Sequence, residues 1–322
     1  MFWVCELNVG DRVDVEAFDE ICYARGKPRC SRRRLENIAV RYIMANMDDI
    51  DRIVAAALAE DIGTGDITTR LVAPEGVGGN AVIRAKSTLV LAGMDAAERT
   101  FQSVDRETIF KLEHSDGEKL ETGSVIAHVE GDMSSLLAAE RTALNFIQRA
   151  SGIATLTARY VDKIKGTKAK ILDTRKTAPG LRTLDKAAVR AGGGYNHRTG
   201  LFDGILIKEN HIVAAGGIKQ AVEAAKTGAP HLMKVEIEVT NLDELDLAVE
   251  AGAGVIMLDN MDVDLILKAV ERIGGEIPLE VSGNVSLDSV GEIAKTGVDY
   301  ISVGALTHSV VAADISMYIE KT

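Results

Sequence analysis

The sequence has 322 residues, 46% of them hydrophobic, and a formal net charge of −11. This length and composition predict an α/β protein with a buried core, large enough for one large domain and a smaller one. No apolar run approaches the roughly 20 residues that a membrane helix requires, and the N-terminus lacks the apolar stretch of a secretory signal. These features exclude an integral membrane protein and a secreted one, and we expect a cytoplasmic protein.

Residues 1–46 form an atypical N-terminal extension. They contain all three cysteines, the only tryptophan and a basic run from Arg25 to Arg34. The cysteines match neither a disulfide framework nor a zinc site. The extension is an organelle-targeting segment, a natural appendage or upstream sequence read from a misplaced start. Its many acidic residues argue against a transit peptide, and we favour a misplaced start, with Met44 or Met47 as the true first residue.

Residues 47–153 are predicted to form a small α/β domain with a connecting helix. Apolar residues first recur at helical spacing, which predicts an amphipathic helix that ends near Asp61. Short β-branched runs bounded by glycine follow and are typical of strands. A second helical stretch, from about Ser134 to Ala158, leads into the next domain.

Residues 154–322 are predicted to form an α/β barrel, with a last helix that packs back on the N-terminal domain. Six short apolar runs alternate with helical segments, and each run ends in polar residues. The runs are Ala169–Asp173, Gly204–Lys208, Met233–Glu238, Gly254–Asp259, Ile277–Ser282 and Tyr300–Gly304. This repeat is typical of parallel βα units with right-handed crossovers, and its spacing favours a barrel over a doubly wound sheet.

The carboxyl ends of the predicted strands carry a coherent set of side chains. In such a barrel these ends converge on one mouth, where the chemistry takes place. The early strands end in cations, the middle ones in carboxylates and the last two in glycine-rich turns: Arg175, Lys176, Lys208, Glu238, Asp259, Ser282, Gly283 and Gly304. Glycine-rich turns after the final strands often hold a phosphate, because backbone N–H groups can approach it closely.

The segment between Thr167 and His211 is strongly basic. It contains nine Lys and Arg residues against four acids, a local charge of about +5 in an acidic protein. Such a distribution favours a small phosphate- and carboxylate-rich substrate and argues against nucleic acid, which the overall charge would repel. Arg175 and Arg198 offer planar forks for carboxylate or phosphate, whereas Lys208 is a movable point charge. Ordinary solvated cations, and a structural ion pair for Lys208, are the alternatives.

Glu238 and Asp259 end strands that should be buried on both faces. A carboxylate there requires a close partner, so we expect Mg²⁺ or ribose hydroxyls, with a salt bridge to Lys208 as the alternative. Glu236 is expected to face the other way. His197 follows three consecutive glycines that would let the backbone approach a ligand, although it and His211 could also be ordinary core or loop histidines.

A set of collinear motifs extends from about Met47 to Ser309. They read EDIGTGDITT, ERTALNFIQRASGIAT, DTRKTAPGLR, GGGYNHRTGLFDGILIKENH, VEIEV, IMLDN, LEVSGN and SVGALTHS. In this order they resemble the quinolinate phosphoribosyltransferases, also called nicotinate-nucleotide pyrophosphorylases (carboxylating). The resemblance implies an N-terminal α/β sandwich domain on an incomplete, roughly six-stranded α/β barrel. It also implies the conversion of quinolinate and phosphoribosyl pyrophosphate, with Mg²⁺, into nicotinate mononucleotide, pyrophosphate and CO₂ in de novo NAD synthesis.

The resemblance also implies residue roles. Lys176, Lys208, Glu238 and Asp259 would be catalytic, and Glu238 and Asp259 would hold the ribose and, directly or indirectly, Mg²⁺. The substrates would be bound by Arg141 of an adjacent subunit in a homodimer, and by Thr174, Arg175, Lys176, His197, Arg198 and Lys208. The 5′-phosphate would be bound by Ser282, Gly283, Asn284, Val303, Gly304 and Ala305. Assembly of the dimers into a hexamer stays open.

Three other functions stay open at this point. One is a related phosphoribosyltransferase for another anionic heterocycle, such as the paralogues associated with molybdenum uptake. Another is a Schiff-base aldolase that uses Lys208 at its strand end. The third is a non-catalytic binding protein that has kept the barrel.

Overall fold

The structure, a computed structural model, describes residues 48–73 and 76–320. The misplaced start inferred above therefore lies outside the described residues. The first elements are helix α1 (Asp49–Ile62), as the helical spacing predicts, and a short helix α2 (Ile67–Val72). Asp66 caps α2, because its carboxylate accepts the backbone N–H of Thr69 at 3.0 Å.

The N-terminal region contains an antiparallel sheet of four strands. Strands and one helix follow α2 in this order: β1 (Gly78–Ala85), β2 (Leu89–Val90), α3 (Met94–Val104), β3 (Ile109–Leu112), β4 (Lys119–Leu120) and β5 (Val125–Asp132). The sheet order is β12-β1-β5-β3, where β12 (Ile315–Glu320) comes from the C-terminal end of the chain, and β2 pairs with β4 separately. Buried residues of this sheet and of α3, such as Ile83, Phe101 and Ile126, form the local core.

The long helix α4 (Met133–Lys163) connects the two regions. The carboxylate of Asp132 caps its N-terminus by accepting the backbone N–H groups of Ser134 and Ser135 at 3.0 and 3.1 Å. Its buried residues, including Leu136, Ile147 and Ile153, are spread along its 31 residues. The helix packs against α3 on one side and against α5 (Arg182–Ala191) on the other. It therefore stabilises the sheet and the barrel at once.

The second region is a parallel sheet of six strands with helices between them, as predicted. The strand order is β6-β11-β10-β9-β8-β7. The elements that follow α4 are β6 (Lys170–Leu172), α5, β7 (Ile205–Ile207), α6 (Glu209–Ala215), α7 (Ile218–Gly228), β8 (Val235–Val239), α8 (Leu242–Ala251), β9 (Val255–Asp259), α9 (Val263–Ile273), β10 (Leu279–Ser282), α10 (Val290–Lys295), β11 (Tyr300–Ser302) and α11 (Ala305–His308). The sheet is open between β6 and β7, so it fits an incomplete barrel.

The C-terminal segment corrects one expectation. We predicted a last helix that packs on the N-terminal domain, but the last described element is strand β12, which pairs antiparallel with β1 from Ala85↔Ile315 to Asn80↔Glu320. The physical reason is the alternation of its side chains: Ile315 and Met317 are buried in the sheet core, whereas Tyr318 is exposed. The boundaries proposed for the two domains stay a prediction.

Candidate active site

The parallel register brings the predicted site residues to one mouth of the barrel. Glu238 pairs with Met257, two residues before Asp259, and Asp259 pairs with Ser282. On the far side of the sheet, the N–H of Val303 donates to the carbonyl of Leu172 at 2.9 Å. The segments that follow β6, β8, β9, β10 and β11 therefore start at the same level, as the barrel prediction required.

Lys208 and Glu238 form an ion pair at this mouth. The ammonium Nζ of Lys208, at the end of β7, donates to Oε1 of Glu238 on the adjacent strand β8. The side chain of Lys208 is 48% exposed and that of Glu238 is 15% exposed. The structural ion pair considered for Lys208 is thus present, and the exposed ammonium still faces the open mouth.

Arg198 lies beside a second cation. Burial, and then the charge of Arg175, lower the pKa of Arg198, while the carboxylates of Glu236 and Glu238 act in the opposite direction. One Arg198 N–H group donates to the carbonyl of Gly204 at 2.9 Å. Arg175, Arg198 and Lys208 therefore share one region, as the basic segment predicted. Because Glu238 already balances the charge of Lys208, a dianionic ligand would neutralise the remaining two charges.

A buried network fixes the segment that carries His197 and Arg198. The carboxylate of Asp173, which is fully buried at the end of β6, accepts Nζ of Lys186, Nδ2 of Asn196 and the N–H of His197, the last at 2.8 Å. Lys186, only 3% exposed, also donates to the carbonyl of His197 at 2.9 Å. Removing Asp173 would leave a buried ammonium without its partner.

His197 stands above two buried carboxylates in the barrel. Its Nε2 lies 3.0 Å from Oε2 of Glu236 and 3.9 Å from Oε1 of Glu280. Burial opposes the charged ring, but the bond to Glu236 and the charges of Glu280 and Glu236 outweigh burial and raise the pKa of His197. The backbone N–H of Arg198 donates to Nδ1 at 2.7 Å, so when the ring is neutral its proton lies on Nε2, toward Glu236.

Glu280 is the most strongly perturbed carboxyl group of the site. It is 2% exposed, and burial followed by the charge of Glu236 raises its pKa to about 8. At neutral pH it therefore carries a proton. Oε1 of Glu280 and Oε1 of Glu236 are buried and have no hydrogen-bond partner.

The position of Glu236 corrects a second expectation. We expected it to face away from Glu238, but residues two apart in a strand lie on the same side of the sheet. Glu236 is 9% exposed, bonds to His197 inside the barrel and acts together with Glu238 on Arg198. The two-residue periodicity of the strand indicates this position of Glu236. Asp173, Lys186 and Glu280 carry no comparable signal, because Asp173 and Lys186 lie next to other polar residues and Glu280 is a single charge in a short strand.

Among the described residues, His197, Glu236 and Glu280 are the one group of three or more His, Cys, Asp or Glu side chains that lie close enough together to hold a metal. Their donor atoms lie within 4.8 Å of one another. A metal on Nε2 would require the ring proton on Nδ1, where a carbonyl or carboxylate normally accepts it. Nδ1 of His197 instead accepts an N–H, so the trio is arranged to hold protons.

The three glycines before His197 have a different role from the expected one. We expected them to let the backbone approach a ligand. A Cβ on Gly192 would lie 2.4 Å from the carbonyl oxygen of Ala154, and one on Gly194 would lie 2.8 Å from Thr157. The glycines permit close packing of this segment on α4, and they position His197 only indirectly. His211 also has a local role, since its Nδ1 accepts the N–H of Lys208 at 3.0 Å and caps α6.

The turn after β10 lies against the end of β9. Asn260, which follows Asp259, donates from Nδ2 to the Asp259 carboxylate at 2.8 Å, and its Oδ1 accepts Nδ2 of Asn284 at 3.0 Å. Gly283 has a φ of 92°, and a Cβ there would overlap the Asn260 side chain. Ser282, Gly283 and Asn284 are thereby held beside Asp259 in a turn whose left-handed backbone at position 283 favours glycine.

The turn after β11 lies against Lys176. The Lys176 side chain passes over Gly304, since a Cβ on this glycine would lie 3.1 Å from Lys176 Cδ. Gly304 and Ala305 begin α11, where the first N–H groups lack partners within the helix. The N–H of Val303 is not available to a phosphate, because it donates to Leu172.

Thr174 and Arg141 occupy different settings. Thr174 Oγ1 accepts the N–H of Lys176 at 3.0 Å and so shapes the loop after β6. Arg141 lies exposed on α4, and the described part of the chain supplies no hydrogen bond or ion pair for it.

Comparisons with known proteins identify relatives over most of the chain. The family model described as "Quinolinate phosphoribosyl transferase, N-terminal domain" matches residues 66–151, and that of the corresponding C-terminal domain matches residues 153–318. The probable nicotinate-nucleotide pyrophosphorylase (carboxylating) of Bacillus subtilis is 46% identical over 258 residues, 80% of this chain and 89% of that protein. The mitochondrial quinolinate phosphoribosyltransferase (decarboxylating) 2b of Nicotiana tabacum is 42% identical over 306 residues, 89% of this chain and 87% of that protein.

Solved structures similar to this chain include one that carries the same family name. The nicotinate-nucleotide pyrophosphorylase from Francisella tularensis superposes with a TM-score of 0.81 at 47% identity, covering 85% of this chain and 96% of the other. NadC from Streptococcus pyogenes superposes with a TM-score of 0.80 at 40% identity, covering 84% and 95%. Within residues 48–73 and 76–320, no helix is both long and apolar enough to span a bilayer.

Proposed function

The chain belongs to the quinolinate phosphoribosyltransferase family, and we propose that it transfers the phosphoribosyl group of phosphoribosyl pyrophosphate to quinolinate at this barrel mouth. The reaction loses CO₂ and yields nicotinate mononucleotide and pyrophosphate, a step of de novo NAD synthesis. The observation that carries the proposal is the meeting of Arg175, Arg198 and Lys208 with Glu238 at one mouth. Both substrates are small polyanions, and such a cluster of cations suits them.

The cations orient quinolinate. Its two ring carboxylates are bound by Arg175, Arg198 and Lys208, and His197 holds the backbone of Arg198, whose N–H donates to its Nδ1. Holding both carboxylates points the ring nitrogen at C1 of the ribose. Such positioning lowers the activation barrier, because the two reactants then lose no further translational and rotational entropy. In well-oriented cases the gain is ~7 kcal/mol or more.

Carboxylates assist the departure of pyrophosphate. Positive charge develops on the ribose C1 as the C1–O bond breaks, and Glu238 on β8 and Asp259 on β9 stabilise this charge and bind the ribose hydroxyls. Lys176 and Lys208 neutralise the leaving pyrophosphate. The electron pair of the ring nitrogen then forms the new bond to C1, so no covalent intermediate with the enzyme is required.

The donor set fits Mg²⁺ as the metal of the substrate complex. Mg²⁺ prefers oxygen ligands and is usually held by one or two carboxylates together with substrate phosphates. Glu238 and Asp259 are half-buried carboxylates at the ends of neighbouring strands and would supply those ligands. When bound, the ion adds positive charge to the leaving group.

The pyridinium formed by transfer makes decarboxylation possible. The bond between the ring and the adjacent carboxylate breaks, CO₂ leaves, and the electron pair stays on the ring carbon, where the adjacent positively charged nitrogen stabilises it. The ring carbon then takes a proton from solvent. Decarboxylation therefore follows formation of the glycosidic bond. The 5′-phosphate is held by Ser282, Gly283 and Asn284 together with the N–H groups of Gly304 and Ala305, while Val303 contributes its position beside Leu172.

Arg141 completes the site from a second subunit. It is exposed and has no partner among the described residues of its own chain, which supports a homodimer with shared active sites. We expect the dimer to act in the cytoplasm, although relatives in plants carry mitochondrial or chloroplastic names.

A Schiff-base aldolase is disfavoured by the ion pair at Lys208. Such an enzyme needs a free amine to attack a carbonyl, whereas the Lys208 ammonium is bound to Glu238. The decisive experiment is quinolinate-dependent release of CO₂ by the purified protein, with phosphoribosyl pyrophosphate and Mg²⁺ present and each omitted in turn. We expect release only when all three are present. A folded dimer that releases no CO₂ would contradict the proposal and redirect the search to other heterocyclic acids.

A further inference from the structure

A buried ion pair ties the long helix to the loop that carries Lys176. Nε and one terminal nitrogen of Arg149, on α4, each donate at 2.8 Å to the carboxylate of Asp185 on α5. Asp185 is fully buried and also accepts the N–H of Ala178 at 3.2 Å. A bidentate pair of this kind is geometrically specific. It holds the far end of the loop in place.

Thr307 connects the same pair to the other side of the mouth. Its carbonyl accepts an Arg149 N–H at 3.3 Å, and its hydroxyl donates to the carbonyl of Lys176 at 2.8 Å. The hydroxyl also lies 3.4 Å from the carbonyl of Gly304. Thr307 is 1% exposed, so water cannot substitute for it at this point. One hydroxyl therefore sets the spacing between Lys176 and the turn after β11.

We infer that Thr307, held by the Arg149–Asp185 pair, is a positioning residue that fixes Lys176 against the phosphate-binding turn of Gly304. The inference rests on the proposed function, because it concerns how two of its binding groups are aligned. Thr307 itself touches no substrate. Its side chain is covered by Lys176 and Gly304 and acts only through them.

The expected size of the effect follows from the geometry. Without the hydroxyl, the Lys176 carbonyl loses its buried donor and the loop can move relative to the turn. Lys176 and the turn both face phosphoribosyl pyrophosphate, so the loss should appear in the handling of this substrate. A displacement of about 1 Å at a reacting group can cost on the order of 100-fold in rate.

The test compares four variants by steady-state kinetics. Thr307→Val removes the hydroxyl and keeps the shape, Thr307→Ala removes it without added bulk in case the valine variant does not fold, and Thr307→Ser keeps it. Thr296→Val is the matched control, because Thr296 is also buried and donates to a carbonyl, that of Ile293, at 2.6 Å. We expect kcat/KM for phosphoribosyl pyrophosphate to fall roughly 10- to 100-fold in Thr307→Val and Thr307→Ala. Thr307→Ser and Thr296→Val should stay within about threefold of the parent, since neither disturbs the contact.

Hydrogen exchange separates this inference from the proposed function. Loss of the hydroxyl should increase exchange of the loop amides between Lys176 and Ala178, and the serine variant should restore protection. Normal kcat/KM in the valine and alanine variants, or an equal loss in the serine variant, would overturn the positioning role. If the parent protein released no CO₂, the proposed function would fail, and the exchange data alone would decide whether Thr307 orders the loop.

Discussion

Replacing Glu280 by glutamine should change how the stability of the protein depends on pH. Glutamine has the shape of the protonated glutamic acid and cannot ionise. Burial, and then the charge of Glu236, raise the pKa of Glu280 from 4.5 to about 8. In the unfolded chain this carboxyl is in water and titrates at its ordinary pKa, so folding requires it to take up a proton between these two values.

The sign follows from linkage. A carboxyl whose pKa is higher in the folded state contributes its full stability below the unfolded pKa, and the contribution is lost as the pH rises toward the folded pKa. Each pH unit in this window costs a little more than 1 kcal/mol of unfolding free energy. Between about pH 5 and about pH 7 the parent protein should therefore lose between about 2 and about 3 kcal/mol that the Glu280→Gln variant keeps.

The assay is urea unfolding of both proteins at about pH 5, 6 and 7, followed by two spectroscopic probes. The free energy of unfolding of the variant, minus that of the parent, should rise steadily with pH. Glu223→Gln, which removes an exposed carboxylate on α7, controls for the change in net charge. A difference that stays flat between pH 5 and 7, or that falls, would refute the assignment of a protonated Glu280 beneath His197.

Three further results are expected. Lys176→Ala and Arg198→Ala should each lower turnover by more than about 100-fold while circular dichroism stays that of the parent, and near-normal activity in either would contradict the site assignment. The inactive variants Arg141→Ala and Lys208→Ala, unfolded and refolded together in equal amounts, should recover roughly a quarter of parental activity, because half of the dimers then contain one intact shared site; no recovery from mixed dimers would exclude sharing. Gly192→Ala places a Cβ 2.4 Å from a carbonyl of the long helix and should lower stability by roughly 1 to 3 kcal/mol, whereas an unchanged melting temperature would show that the segment is loosely packed.

The six barrel strands could be predicted because each apolar run is short, bounded by polar residues and followed by a helical pattern. That topology alone places Lys208, Glu238 and Asp259 at one edge, since the carboxyl ends of parallel strands meet. These three positions can be predicted from the local periodicity of the sequence, because they do not depend on contacts between distant residues.

The remaining site residues depend on contacts that a local pattern does not contain. In the sequence, Asp185 and Thr307 are ordinary polar residues of short helices, and only the packing of α4 shows that Arg149 joins them. In the sequence, Glu280 looks like any charged residue of a strand, and only the folded barrel shows that it is buried next to Glu236. At Gly192 the sequence predicted contact with a ligand, whereas the structure shows contact with a helix. A glycine permits close approach of either, and the sequence alone does not distinguish them.

Strand β12 makes the order of synthesis matter for this protein. The N-terminal sheet is complete only when Ile315–Glu320 adds to β1, more than 200 residues after β1 itself has been made. While the chain emerges from the ribosome, the edge of β1 stays unpaired throughout production of the barrel and offers a template for aggregation. A shortened chain that ends before residue 315 would keep every barrel strand and still expose this edge. Truncation at the C-terminus should therefore destabilise the N-terminal sheet before it destabilises the barrel.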